Sequence, residues 1–137
     1  MYKYFCAFVF LTLSSLAQAQ DTKVVYHLNT GIENAAAALN NIKNHLDADP
    51  KAKLVVVSHG LGIDFLLQEA KDSKGREFSA PISTLAGRGV EFRACNNTLT
   101  ARNIDPSKLA LEAKIVPSGV AEVARLQAKE GFAYLKP

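Results

Sequence analysis

"KLVVVSHG", residues 53 to 60, is the stretch on which the fold turns. Its run Leu54-Val55-Val56-Val57 is apolar at every position and mostly β-branched, and branching at Cβ suits a pleated strand better than a helix. A strand that is apolar at each residue, not at every second one, is covered on both faces. Such strands belong to parallel sheets with helices packed above and below. Ser58-His59-Gly60 then takes the chain out of the sheet.

Elements of the same kind extend in both directions. "KVVYHL" (23–28) reads as an earlier strand. Between the two, Thr30-Gly31-Ile32-Glu33 has the spacing of a capping box. Ile32, Ala35, Leu39, Ile42 and Leu46 follow at steps of three and four, one face of a helix that Pro50 stops. Beyond Gly60, Ile63 to Lys71 is expected as a short helix, with "DSKGRE" (72–77) as a charged loop. Ser79 and Pro81 suit the start of a further helix and Gly87 its C-terminal cap. "GVEFRA" (89–94) alternates as a third strand, and Asn96 to Asn103 is compatible with a helix before the turn Asp105-Pro106. "AKIVP" (113–117) reads as a fourth strand, Val120 to Lys129 as a helix closed by Gly131, and "FAYLK" (132–136) as a short fifth strand at an edge. The expectation is an α/β protein: a three-layer sandwich around a mostly parallel sheet of about five strands, with right-handed crossovers.

The chain has 137 residues, 48% hydrophobic, enough for one compact domain. Its net charge of +3 is scattered and includes no basic block, so no nucleic-acid partner is expected. The first nineteen residues, "MYKYFCAFVFLTLSSLAQA", stand apart. Lys3 precedes an apolar run too short for a membrane span, and Ala17-Gln18-Ala19 fits the small-x-small cleavage pattern of a secretory leader. An uncleaved anchor or a buried first strand is the competing reading. Cleavage leaves residues 20–137 as a single domain in the periplasm, with no membrane attachment. It removes Cys6, and Cys95 becomes the one thiol of an exported protein. Such a thiol has no intramolecular disulfide partner, and burial, an intermolecular bond or chemistry must account for it.

In sheets of this kind, ligands sit beyond the carboxyl ends of the strands. That rule collects Asn29 with Thr30-Gly31, Ser58 with His59 and Gly60, Cys95 with Asn96 and Asn97, and Ser118 with Gly119. Cys95 stands where a strand gives way to a helix, so unpaired amides and the helix dipole favour its thiolate. The dipole supplies about 0.3–1 kcal/mol, less than one pKa unit at about 1.4 kcal/mol per unit. Arg102, seven residues on, lies two turns along the same helical face, and Arg93 shares the sheet face of Cys95 by period-two alternation. The bland alternative is a buried cysteine acting as a small hydrophobe. His59 is either a base or ligand contact, or a loop histidine fixed by a backbone hydrogen bond. His27 is expected packed in its strand and His45 solvated on its helix. Three dispersed histidines and one cysteine predict no metal site, and no cofactor motif is present: "HGLGIDF" lacks the third glycine of a dinucleotide fingerprint.

"GVEFRACNNTLTARNI" (89–104), followed by "IVPSGVAEVARLQAKEGFAYLKP" (115–137), resembles the DsrE/DsrF-like family. The combination carries the resemblance: V-E-F-x-x-C-x-N-T-L, then V-P-S-G-V, then R-L-Q. It implies a small α/β fold, assembly into homotrimers or hexamers, and a cysteine that carries a persulfide sulfur from a donor to an acceptor protein. Cys95 is the one residue of 20–137 that fits that role; the candidate binding residues remain those read from position, Asn29, His59, Gly60, Asn96, Asn97, Arg102, Ser118 and Gly119. The chain departs from the cytoplasmic branch of the family in its leader and in having no second cysteine after cleavage. The expected function is therefore a periplasmic sulfur carrier, an enzyme at most in the sense of persulfide transfer. The alternatives are a non-catalytic binding or assembly module with a structural cysteine, and redox sensing through an intermolecular disulfide.

Overall fold

The computed structural model describes residues 21–137. The expected leader over residues 1–19, with Cys6, lies outside the described residues. Five strands form one sheet: β1 (Lys23–Leu28), β2 (Lys53–Ser58), β3 (Glu91–Cys95), β4 (Ala113–Val116) and β5 (Ala133–Leu135). Their order is β4-β3-β2-β1-β5, and all four pairings are parallel. The helices are α1 (Ala35–Ala48), α2 (Ser79–Gly87), α3 (Asn96–Ala101) and α4 (Gly119–Glu130).

Alternation along the strands sorts the core into two layers. Val24, Tyr26, Leu28, Leu54, Val56, Phe92 and Ala94 face α1 and α2. Val25, Val55 and Val57 face α4, through Val123 and Leu126, together with Phe132. This is why Leu54 to Val57 must be apolar throughout: each residue meets a helix layer on one side or the other. Ile42 of α1 and Leu126 of α4 are wholly buried, and burial of each such side chain contributes about 1.5–3 kcal/mol. α4 carries the chain from β4 at one edge to β5 at the other, which seats β5 against β1.

The local structure departs from expectation in three places. The segment after β2 is a 3-10 helix over Gly60–Leu66, not an α-helix over Ile63–Lys71. Its continuation is taken by pairing with a later segment: Gln68 N–H bonds the carbonyl of Lys108 at 2.9 Å, and Ala110 N–H bonds that of Leu66 at 2.7 Å. Gly62 is pressed against the carbonyl of Leu28, where an added Cβ would lie 2.1 Å from that oxygen. Secondly, Thr30 and Glu33 form no capping box; a 3-10 turn over Ile32–Asn34 leads into α1 without a side-chain cap. Thirdly, the left-handed residue after α2 is Gly89, at φ 94, and Gly87 is the last residue of the helix. Gly131, at φ 72, closes α4 as expected, donating its N–H to Leu126.

Candidate functional site

β3 ends at Cys95, and α3 begins at the next residue. β2 ends at Ser58, so His59 and Gly60 turn out beside it. β4 ends at Val116, and Pro117-Ser118 brings the first turn of α4 back over both. The closeness is shown by Gly119. A Cβ there would lie 3.2 Å from the Cβ of Cys95 and 3.1 Å from that of His59. A side chain there would force the start of α4 or its neighbours apart by a few tenths of an ångström.

These elements surround an open recess of about 350 Å³, with Cys95 in its lining. His59 and Gly60 form one wall, Asn97, Thr98 and Arg102 another, and Ser118 and Val120 the third. Cys95 is only 5% exposed, so just the edge of its side chain is open to the recess. Burial pushes the thiol up, but the backbone N–H of Gly119, that of Thr98, the Thr98 hydroxyl and the N–H of Asn97 all stabilise the thiolate. Their combined effect wins, and the thiol lies below its ordinary value. The donors come from two helix starts and one side chain, so the dipole of α3 alone was an incomplete account. Thr98 Oγ1 in turn accepts from Gly60 N–H at 2.9 Å, which fixes the hydroxyl in place.

Of the expected binding residues, His59, Gly60, Asn97, Arg102 and Ser118 line the recess, and Gly119 packs on Cys95. Asn96 and Asn29 do not line it. Asn29 follows β1, and its Oδ1 is buried with no hydrogen-bond partner among the described residues. Arg102 is held by Asp64 at 2.7 Å and by the carbonyl of Gly60 at 3.0 Å. It fastens the 3-10 segment to α3 and is not among the groups that lower the thiol. Arg93 is ion-paired with Glu122 and with Glu91, and it does not line the recess.

Sequence reasoning missed Thr98 and His27. Thr98 stands three residues beyond Cys95, at the first turn of α3, and the T of C-x-N-T-L pointed to it. His27 is not simply packed in its strand. Its Nε2 lies 2.6 Å from His59 Nε2, and its Nδ1 lies 2.7 Å from the hydroxyl of Tyr134. Burial lowers the pKa of His27, with the charges of His59 and Lys136 adding to it; burial and Lys136 do the same to His59. His45 is not free in solvent either, since its Nδ1 lies 2.9 Å from the Tyr26 hydroxyl.

A larger recess of about 500 Å³ between α1 and α2 contains no cysteine or histidine. Its cations are paired with acids, Arg76 with Asp72 at 2.7 Å and Arg88 with Asp47 at 2.9 Å. Among the described residues no group of three or more His, Cys, Asp and Glu side chains converges as a metal site, and no helix is long and apolar enough to cross a membrane.

The model of the DsrE/DsrF-like family matches residues 9–137. Among solved structures, a protein of unknown function from Methanobacterium thermoautotrophicum, MTH1491, superposes with a TM-score of 0.76 at 31% identity, over 85% of this chain and 100% of that one. The ychN protein of E. coli superposes with a TM-score of 0.66 at 14% identity, over 85% of this chain and 97% of that one, a likeness of fold. No curated protein matches the chain.

Proposed function

The chain belongs to the DsrE/DsrF-like family, and on that premise we propose that it is an exported sulfur carrier whose Cys95 holds one sulfur atom as a persulfide. The observation that carries this reading is the donor set around the thiol. Three backbone N–H groups and the Thr98 hydroxyl stabilise a sulfur anion against the cost of burial. Such a set favours a thiolate or a persulfide anion over a neutral thiol.

The chemistry is two displacements on sulfur. The Cys95 thiolate attacks the outer sulfur of a donor persulfide or polysulfide. The new S–S bond forms as the old one breaks, and the donor leaves as a thiolate with the bonding electron pair. An acceptor thiolate then attacks the outer sulfur, and Cys95 leaves as thiolate. No net oxidation occurs and no cofactor is required. The recess admits a small donor or the tip of a protein side chain, and the amides hold the negative charge at each stage.

The leader over residues 1–19 supports a periplasmic setting, and the family resemblance supports a homotrimer or hexamer. A second reading, a binding or assembly module in which Cys95 only packs, draws on its 5% exposure. Intact-mass analysis after incubation with polysulfide separates the two. Cys95 is expected to gain one sulfur, released by reductant and absent from Cys95→Ser. An unmodified wild type, or equal gain in the variant, would overturn the carrier reading. Light scattering of purified protein tests the assembly, with a monomer as the contrary result.

A further inference from the structure

Tyr134, His27 and His59 form a hydrogen-bonded chain that runs from the Cys95 recess to the edge strand β5. The Tyr134 hydroxyl lies 2.7 Å from His27 Nδ1, and His27 Nε2 lies 2.6 Å from His59 Nε2. The two imidazoles stack with centroids 4.8 Å apart, and the Tyr134 ring meets His27 edge-on at 5.6 Å. At one end His59 lines the recess with Cys95. At the other, Tyr134 is 40% exposed. The displacement chemistry above makes no use of His27 or Tyr134.

A nitrogen–nitrogen hydrogen bond carries one proton. With both rings neutral, as burial favours, the contact between the two Nε2 atoms requires His27 and His59 to hold opposite tautomers. Two arrangements satisfy every contact. In the first, His59 Nε2–H donates to His27 Nε2, His27 Nδ1–H donates to the Tyr134 oxygen, and the Tyr134 proton faces water. In the second, each proton has moved one place: Tyr134 donates to His27 Nδ1, His27 donates to His59, and His59 carries its proton on Nδ1.

We propose that His27 and Tyr134 are positioning residues that make His59 a neutral proton acceptor for the Cys95 thiol, passing the proton along the chain to solvent. The inference rests on the carrier reading, which requires the thiol to shed a proton. The S–H bond breaks and its electron pair stays on sulfur. The proton goes to His59 Nδ1 through water in the recess that both residues line. His59 releases its Nε2 proton to His27, His27 its Nδ1 proton to Tyr134, and Tyr134 its own to water. Every imidazole gains one proton and loses one, so no charge develops where burial and Lys136 oppose it. Proton return after sulfur delivery follows the reverse path.

His27→Gln tests this, because glutamine keeps a donor and an acceptor but cannot exchange tautomers. Tyr134→Phe keeps the ring and removes the outlet. Single-turnover loading of Cys95 from polysulfide at pH 6.5 is expected to slow at least about tenfold in both. Added imidazole is expected to restore the rate, which a merely structural role would not allow. Wild-type rates in both folded variants, or slowing that imidazole leaves untouched, would overturn the proposal. Nitrogen-15 NMR of the imidazoles gives a readout independent of sulfur. Neutral, opposite tautomers support the chain; a charged pair or matching tautomers sink it. Should the wild type take up no sulfur, the carrier reading fails by itself and the tautomers still decide the chain.

Discussion

Gly119 lies so close to Cys95 that a methyl group on it would sit 3.2 Å from the cysteine Cβ, with the Cβ of His59 at 3.1 Å on its other side. Both neighbours are fixed to backbone that the sheet holds in place, so neither can give way as a flexible side chain would. Gly119→Ala is therefore expected to push the start of α4 outward, even though alanine is the better helix former by about 1 kcal/mol. Overpacking of this kind costs about 1–3 kcal/mol. The Gly119 N–H moves off the sulfur, and the thiol rises toward its ordinary value. The pH dependence of Cys95 alkylation reads the second effect and a thermal melt the first. An unchanged titration midpoint would deny Gly119 its place in the donor set.

Thr98 holds the thiolate from one side and the Gly60 N–H from the other. Thr98→Val preserves shape and removes both bonds. The thiol is expected to rise, so less thiolate is present at neutral pH. The N–H of Gly60 loses its partner, at a cost of about 1–3 kcal/mol. Thr98→Ser keeps the hydroxyl and is expected to restore the titration. Equal alkylation profiles for Thr98→Val and wild type would remove Thr98 from the account.

Arg102 is expected to matter less to the thiol than its position in sequence suggests. Its guanidinium is engaged with Asp64 and the Gly60 carbonyl. Arg102→Gln should leave the titration of Cys95 in place and cost about 1–3 kcal/mol of stability, because it takes the cation away from a buried Asp64 oxygen. A clear upward shift of the thiol in that variant would return Arg102 to the role assigned from sequence.

Acid should destabilise the fold in two stages. His27 and His59 have folded-state pKa values below the ordinary 6.5. Above that value both states are neutral; below it the unfolded chain binds protons that the folded chain refuses, and stability falls. Glu122, bonded to Arg125 and Arg93, and Glu91, bonded to Arg93, also lie below their ordinary 4.5. Their contribution is present above that value and is lost as pH falls through the folded-state values. Melting temperatures between pH 3 and 8 should fall first below about 6.5 and again below about 4.5. His27→Phe should weaken the first stage, leaving the share of His59, and not touch the second. A melt independent of pH between 7 and 5 would contradict the neutral histidine pair.

The strands were legible because their cause is local. Val24 to Val25, Val55 to Val57 and Ile115 to Val116 are apolar and β-branched at successive positions, and no described helix reads that way. Cys95 was legible as a site for a similar reason, since it ends a strand in a parallel sheet. The segment after β2 was not, because the apolar spacing of Ile63, Leu66 and Leu67 serves a helix and a 3-10 turn equally. The choice was made by Leu66 and Gln68 pairing with Ala110 and Lys108, about forty residues away. His27 and His59 are separated by 32 residues, and only the register that pairs Leu28 with Ser58 brings them onto one face.

By itself the sequence determined the layers, the parallel sheet and the thiol at its carboxyl edge, because burial patterns and turn residues act within a few positions. Tertiary structure alone decided what that thiol touches. Gly119 descends on it from a helix that crosses the whole sheet, Thr98 is oriented by Gly60, and Arg102 is drawn off by Asp64. Those contacts are non-local, and hydrogen bonds and charge pairs over distances of about 3 Å depend on where strands and helices come to rest, which no local pattern encodes.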